Sequence, residues 1–334
     1  MSTLPVMPIG PVQMTDIRDE HKCGCFRICA SYKSPAKVRG FDRFPFFAAE
    51  LFGRDPDYWN YHLIVQLKGC PFRCIYCYVD DAGIRGHDEV NLEIGDLVRG
   101  AKQIMDRDDR LHVFHLMGGA PALHIQKWAE VARTMSAGGM SDVIFHSDIV
   151  LVEPSIIPDF VPSLQKLATY PNHLIAICIK GVTEANFREN VRTDAFSLAE
   201  CLENLHDIVR TGIKYYITLI NPDTSALPSF LNHLTDLLGW ENAQRIQLLR
   251  VRPYNVTRQR LLELDASDSV LALMDHRFAA AEQIVDRFTR HRHISSCPTS
   301  CGDWGRWKTS DQKENRHAAQ IDSAETARCN EYWR

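Results

Sequence analysis

The stretch that most constrains this chain is Lys68-Gly69-Cys70-Pro71-Phe72-Arg73-Cys74-Ile75-Tyr76-Cys77-Tyr78, in which three cysteines are separated by three and then two residues. The short apolar run His62-Leu63-Ile64-Val65-Gln66-Leu67 leads straight into it and reads as a buried strand, which Gly69 ends. The cysteines therefore sit on a loop at the C-terminal end of a strand, the edge where barrel-like α/β folds place active sites. Three local thiolates can wrap one corner of an iron–sulfur cube and leave its fourth iron open. A zinc site is usually closed by a fourth ligand, often from a second C-x2-C or a His pair, and none follows nearby. Nothing marks the chain as secreted, the setting in which a disulfide framework would be expected.

Downstream, apolar runs and amphipathic stretches alternate. Ile94, Leu97, Val98, Ala101, Ile104 and Met105 fall at helical spacing. A second strand, Leu111–Met117, ends at Gly118-Gly119-Ala120-Pro121, and a helix carrying Trp128, Val131 and Met135 closes at Gly138-Gly139. Strand three is residues 142–148, strand four His173–Lys180, strand five 213–220 and strand six 245–251, with helices around Leu198–Val209 and Leu227–Leu238 between them. Six strand–helix alternations predict parallel strands joined by crossover helices, in an open, partial (β/α)6 barrel. A long helix is predicted over 268–291, with Ser267 or Asp268 as its cap. Residues 1–60 look irregular, and the tail beyond about Lys308 has too few apolar residues to pack by itself. The expected organisation is an N-terminal Cys-containing extension over 1–60, the barrel over 61–255, and a C-terminal helix with a Cys-containing tail or lid over 256–334.

C-x3-C-x2-C after a first strand resembles the signature of the radical S-adenosylmethionine (radical SAM) superfamily. The resemblance covers residues 62 to about 254, and it too implies a partial (β/α)6 barrel. It implies that Cys70, Cys74 and Cys77 hold a [4Fe–4S] cluster whose open iron chelates SAM. It further implies reductive cleavage of SAM to a 5′-deoxyadenosyl radical that abstracts hydrogen from a substrate. Tyr76, before the last cysteine, stands where the family often has an aromatic residue near the adenine. Gly118-Gly119-Ala120-Pro121 resembles the family's Gly-Gly-Glu-Pro, whose bare backbone approaches the SAM amine. The family glutamate is replaced by Ala120, and Asp148 is the expected substitute. Polar residues ending strands three and four, His146, Ser147, Asp148 and Lys180, are expected to contact the SAM carboxylate or ribose. The expected catalytic set is Lys180, Asp148 and Tyr254; Asn221 and Arg252 share the rim but are each followed by proline, an ordinary turn signal. Strand-end spacing is similar to the branch of glycyl-radical-enzyme activases and wyosine-type tRNA enzymes.

Six further cysteines, Cys23, Cys25, Cys29, Cys297, Cys301 and Cys329, lie outside the barrel and are candidates for an auxiliary iron–sulfur cluster; the alternative is free thiols in packed extensions. Cys178 and Cys201 fall on apolar faces and read as buried small hydrophobes, and the Trp128 stripe reads as helix packing. His112 and His115 have opposite parity on their strand, so one should face the helices and the other the lumen. With 45% hydrophobic residues in 334, the chain can bury one sizeable core. A net charge of -4 offers no case for tight non-specific nucleic-acid binding, which favours a small-molecule or peptide substrate over the alternative of a tRNA base. A non-catalytic iron–sulfur binding or redox-sensing module is the remaining alternative. No apolar run is long enough to span a bilayer, and Met1 to Gly10 lacks a basic n-region, so a cytoplasmic enzyme is expected. An electron donor such as flavodoxin or ferredoxin completes the expected partners.

Overall fold

Parallel strands covered on both faces carry continuous apolar runs, and His173–Ile179 shows it: every residue of that strand is buried. A computed structural model describes residues 2–6, 19–23, 25–32, 42–85, 90–252, 254–263 and 268–290. Its ten strands are β1 (Thr3–Val6), β2 (Asp19–Cys23), β3 (Phe26–Ala30), β4 (Tyr61–Leu67), β5 (Val90–Glu93), β6 (Leu111–Gly118), β7 (Ile144–Ile149), β8 (His173–Ile179), β9 (Tyr215–Ile220) and β10 (Ile246–Leu249). β4, β6, β7, β8, β9 and β10 lie side by side in that order, all parallel. This is a mixed α/β fold built on an open, partial barrel of six parallel strands.

The crossover helices follow their periodicity. The helix Ile94–Met105 buries Ile94, Leu97, Val98, Ala101 and Met105, one stripe at three- and four-residue spacing. Ser197 and Thr183 cap their helices by accepting from the backbone N–H three residues on. Trp128 is fully buried against Phe145, with ring centroids 5.7 Å apart. Each such Leu, Ile or Phe contributes about 1.5–3 kcal/mol through the apolar surface it removes from water.

Residues 1–60 depart from the irregular extension expected of them. β3 pairs antiparallel with β4, Arg27 opposite Ile64, and β1 pairs with both β4 and β5, so this segment covers the edge the barrel would otherwise leave open. All five residues of β3 are buried, so no polar alternation betrays it in the sequence. The proline-punctuated segment 154–170 holds two helices, Glu153–Ile156 and Phe160–Ala168. Pro154 and Pro162 fall in first turns, where the missing N–H has no intrahelical partner to lose. The long helix spans Asp268–Arg290, and a shorter helix, Asn255–Glu263, precedes it. Among the described residues, no helix is long and apolar enough to cross a membrane.

Candidate functional site

Strand parity points His62 and Ile64 of β4, His115 and Met117 of β6, Asp148 of β7, Ala176 and Cys178 of β8, and Tyr216, Thr218 and Ile220 of β9 into one cavity of about 240 Å³. Cys70, Cys74, Tyr76 and Cys77 line its mouth, with Lys180, Gly118, Gly119 and Tyr254. The three cysteines expected to act together are thus brought together, at the C-terminal ends of the parallel strands.

Hydrogen bonds hold the cysteine loop from four sides. Gly69 and Cys70 donate to the carbonyls of Gly83 and Ile84 at 2.8 and 3.0 Å. Arg73 and Ile75 donate to Val191 and Asn190 at 3.1 and 3.0 Å. The Ala120 N–H donates to Gly69 at 2.7 Å. From the helix Asn255–Glu263, Thr257 Oγ1 donates to the Cys77 carbonyl at 3.2 Å, and Arg260 donates to the carbonyls of Cys77 and Val79 at 2.9 and 3.0 Å. The fully buried Asn190 links this loop to two other strand ends: its Nδ2 donates to Lys180 O at 2.7 Å and to Asn221 O at 3.2 Å. Asn221 returns a bond to Asn190 Oδ1 at 2.8 Å and adopts a left-handed φ of 49°, so its role here is turn and network.

The glycine pair has a reason visible in the backbone. A Cβ on Gly119 would stand 2.0 Å from Gly69 O, and one on Gly118, at φ +120°, 2.5 Å from Leu67 O. Both glycines are therefore required by the approach of β6 to the cysteine loop. Ala120 is fully buried, is not among the residues lining the cavity, and spends its N–H on Gly69. Ser147 is also fully buried and donates its hydroxyl to Leu116 O at 2.9 Å, so it stitches β7 to β6 instead of facing the cavity.

Burial pushes the Cys70 thiol up, and Cys74 and Cys77 add to it. Burial pushes Cys74 up to about 11; Lys180 and Arg260 oppose that rise and Cys77 adds to it. Burial favours neutral Lys180, and Cys178, Cys74, Cys70 and Cys77 would raise it once they are thiolates. Burial raises Asp148 against the pull of His146 and Lys180. The buried Tyr76 hydroxyl lies against the Cys74 thiol. Three crowded thiols that resist ionisation by themselves fit an iron–sulfur cluster, whose iron charge makes thiolates of its ligands. The Lys180 ammonium at the same mouth fits a polar, anionic group beside it.

Of the other cysteines, Cys25 and Cys29 are buried thiols about 13 Å of extended chain apart. Cys29 lines the cavity. Cys23 lies on β2, and Cys297, Cys301 and Cys329 lie outside the described residues. Cys178 and Cys201 are buried free thiols. His112 stacks on Tyr58 outside the barrel, with centroids 3.6 Å apart, while His115 enters the lumen. Arg260, Thr257, Asn190 and the lumen residues Arg27 and His62 are not legible in the sequence, because each acts on a partner far away in the chain; His146, expected at the rim, is fully buried and does not line the cavity.

An open array of parallel strands with a thiol triad on its first C-terminal loop defines a partial-barrel enzyme whose chemistry centres on a group held at the rim. Residues 64–227, about half of the chain, match the model of the Radical SAM superfamily. Among solved structures, the chain is similar to HydG, a maturase of the [FeFe]-hydrogenase, at 14% identity and a TM-score of 0.47, over 73% of this chain and 52% of that one. It is also similar to Streptococcus suis SuiB bound to the precursor peptide SuiA, at 13% identity and a TM-score of 0.42, over 55% and 38%. A third is anSMEcpe with bound AdoMet and a Cp18Cys peptide, at 11% identity and a TM-score of 0.41, over 57% and 51%. The chain spans about half or less of the length of each. No curated protein matches the sequence.

Proposed function

We propose that this enzyme binds a [4Fe–4S] cluster through Cys70, Cys74 and Cys77, binds SAM beside it, and abstracts hydrogen from a small molecule or peptide held in the cavity. The observation that carries this reading is the convergence of three thiols with Lys180 at the mouth of a cavity on the C-terminal ends of parallel strands. When bound, the group supplies one-electron cleavage of the sulfonium C–S bond, giving methionine and a 5′-deoxyadenosyl radical.

The chain's own residues bind and orient. Lys180 sets its charge against the SAM carboxylate. Asp148 stands in for the missing family glutamate toward the amine. Tyr76 would pack against the adenine, and the Gly118-Gly119 backbone would receive the methionyl end. Tyr254, with its ring 5.9 Å from Tyr78, bounds the mouth where substrate enters. Ala120 and Ser147 support the sheet under this set.

Basic side chains near the mouth are engaged within the protein: Arg250 is bidentate to Asp275 at 2.8 Å, and Arg260 is spent on the cysteine loop and Asp81. That supports a small-molecule or peptide substrate over a tRNA base. The reading carries with it a cytoplasmic setting and a one-electron donor such as flavodoxin or ferredoxin. Strand-end spacing supports a place near the activase-like and wyosine-type branch.

The test is anaerobic incubation of reconstituted, reduced protein with SAM, followed by mass spectrometry for 5′-deoxyadenosine. Wild type is expected to produce it, and Cys74→Ala to lose both product and brown chromophore. Absence of product from cluster-loaded wild type would leave a non-catalytic iron–sulfur or redox-sensing module. In the same preparation, about four irons per chain means one cube, and about eight means an auxiliary cluster on the terminal cysteines.

A further inference from the structure

The lumen below the cysteine loop contains an arrangement that SAM cleavage does not explain. His62 on β4, His115 on β6 and His146 on β7 are all buried, and a ring nitrogen of each lies within 4.8 Å of the other two. His115 and His146 are register neighbours on adjacent parallel strands. Their rings are 4.0 Å apart, and those of His62 and His115 5.4 Å. About 16 Å of extended strand separates His62 from the end of β4, where the cysteine loop begins.

We propose that His62, His115 and His146 form a second metal site, for a single divalent transition ion such as zinc, at the floor of the cavity. The first argument is distance. His62 Nδ1 and His115 Nδ1 are 3.3 Å apart. Two nitrogens bound tetrahedrally to zinc at about 2.0–2.1 Å would be about 3.3–3.4 Å apart. The second argument is what holds the opposite side of each ring. His146 Nδ1 donates to Leu174 O at 2.6 Å, and its Nε2, 3.3 Å from the Tyr216 hydroxyl, is the nitrogen that would turn to a metal when that hydroxyl gives way. His115 Nε2 faces Asp148 Oδ2 at 3.5 Å. His62 Nε2 meets Ser31 Oγ at 3.1 Å. A carbonyl and a hydroxyl hold His146 and His62, and the Asp148 carboxylate stands near His115 without bonding it; such groups are the outer partners that fix the tautomer and orientation of metal-bound histidines.

Without metal, the His62–His115 contact is satisfied by one shared proton. Moving the His62 proton to Nε2, where Ser31 accepts it, turns both Nδ1 lone pairs toward a cation. Arg27 opposes a cation here, since its charge is felt at His115; Asp148 supplies the balancing negative charge. The cavity, which His62 and His115 both line, gives the ion a route in and a fourth position for water or substrate.

The test uses full-length, cluster-loaded protein given one equivalent of zinc, gel-filtered, and examined by elemental analysis and zinc-edge X-ray absorption, which iron does not obscure. About one zinc per chain is expected, in a nitrogen and oxygen shell at about 2.0–2.1 Å with imidazole outer-shell scattering. His62→Gln and His115→Gln should each lower retained zinc at least about tenfold at matched thermal stability. Zinc below about a tenth of an equivalent, a sulfur shell at about 2.3 Å, or full retention in both variants would overturn the proposal. Where a variant fails to fold, the absorption spectrum of wild type decides by itself. No outcome depends on SAM turnover, so this site and the cluster assignment fail separately.

Discussion

Arg260 Nη1 donates to the carbonyl of Cys77 at 2.9 Å across 183 residues of sequence. Its Nη2 reaches Val79 O at 3.0 Å and Asp81 at 3.1 Å, so one guanidinium spans the last cysteine and the turn that follows it. The helix that follows the last barrel strand thereby sets the position of the first barrel loop.

Arg260→Met keeps the apolar stem and removes the donors. The Arg260 side chain is 12% exposed, and hydrogen bonds from a charged donor are worth about 1.5–3 kcal/mol each when lost from a largely buried site. The expected result is a lower unfolding midpoint and faster loss of the cluster chromophore in air, with Arg260→Lys intermediate. Chromophore loss at the wild-type rate would show that the loop holds its shape without this clamp.

Gly119→Ala places a methyl 2.0 Å from a backbone oxygen, and backbone does not step aside as a flexible side chain can. The strand end or the cysteine loop must shift. A loss of about 3 kcal/mol or more is expected, at the upper end for single substitutions, with iron content well below wild type after reconstitution. Gly95→Ala is a useful contrast: it meets nothing within 4 Å, and inside the helix Ile94–Met105 alanine is favoured over glycine by about 1 kcal/mol. Equal stability of Gly119→Ala and wild type would mean the close approach is absent in solution.

Ala120→Glu restores the family residue, yet it is expected to harm this protein. Ala120 is fully buried and its neighbours already form the contact between the strand end and Gly69. A carboxylate there is desolvated without a partner, at a cost of several kcal/mol. The expected variant is poorly soluble or markedly less stable, with no gain in SAM affinity by calorimetry. A stable variant with tighter SAM binding would show that the side chain at 120 reaches the cavity.

What the sequence shows and hides follows the same division between local and distant causes. His173–Ile179 announces a buried strand through its own composition, and Cys70, Cys74 and Cys77 lie so close in the chain that any fold must keep them together. Phe26–Ala30 is buried throughout and finds its partner in β4, 37 residues on from Arg27 to Ile64, so nothing local betrays it. Ser147 sits at the strand end where a polar contact to SAM is expected, but the neighbouring Leu116 carbonyl takes its hydroxyl. His62, His115 and His146 are single residues on three strands, and only the register of the barrel makes them a cluster.

The lumen histidines also make stability depend on pH. Burial, with the Arg27 charge, holds His115 down at about 3. Burial, with His115, holds His146 down at about 3 despite Asp148, Asp42 and the Leu174 carbonyl. Burial brings His173 to about 4, against the Tyr170 carbonyl and with Lys214 adding to the fall. An unfolded histidine titrates near 6.5, so below that pH the unfolded chain takes up protons that these three folded residues refuse. Each then costs about 1.4 kcal/mol per pH unit as pH falls, until its folded value is reached. Glu153 runs the other way. Burial raises it to about 7 against the Val150 and neighbouring backbone amides and Lys180, so between its unfolded value of 4.5 and 7 acidification favours the folded state. Three histidines against one glutamate give a net loss of at most about 3 kcal/mol per pH unit just below 6.5. Urea midpoints of metal-free protein should therefore fall from pH 7 to pH 5.5. A midpoint that holds or rises over that interval would mean that the histidines accept protons within the folded barrel.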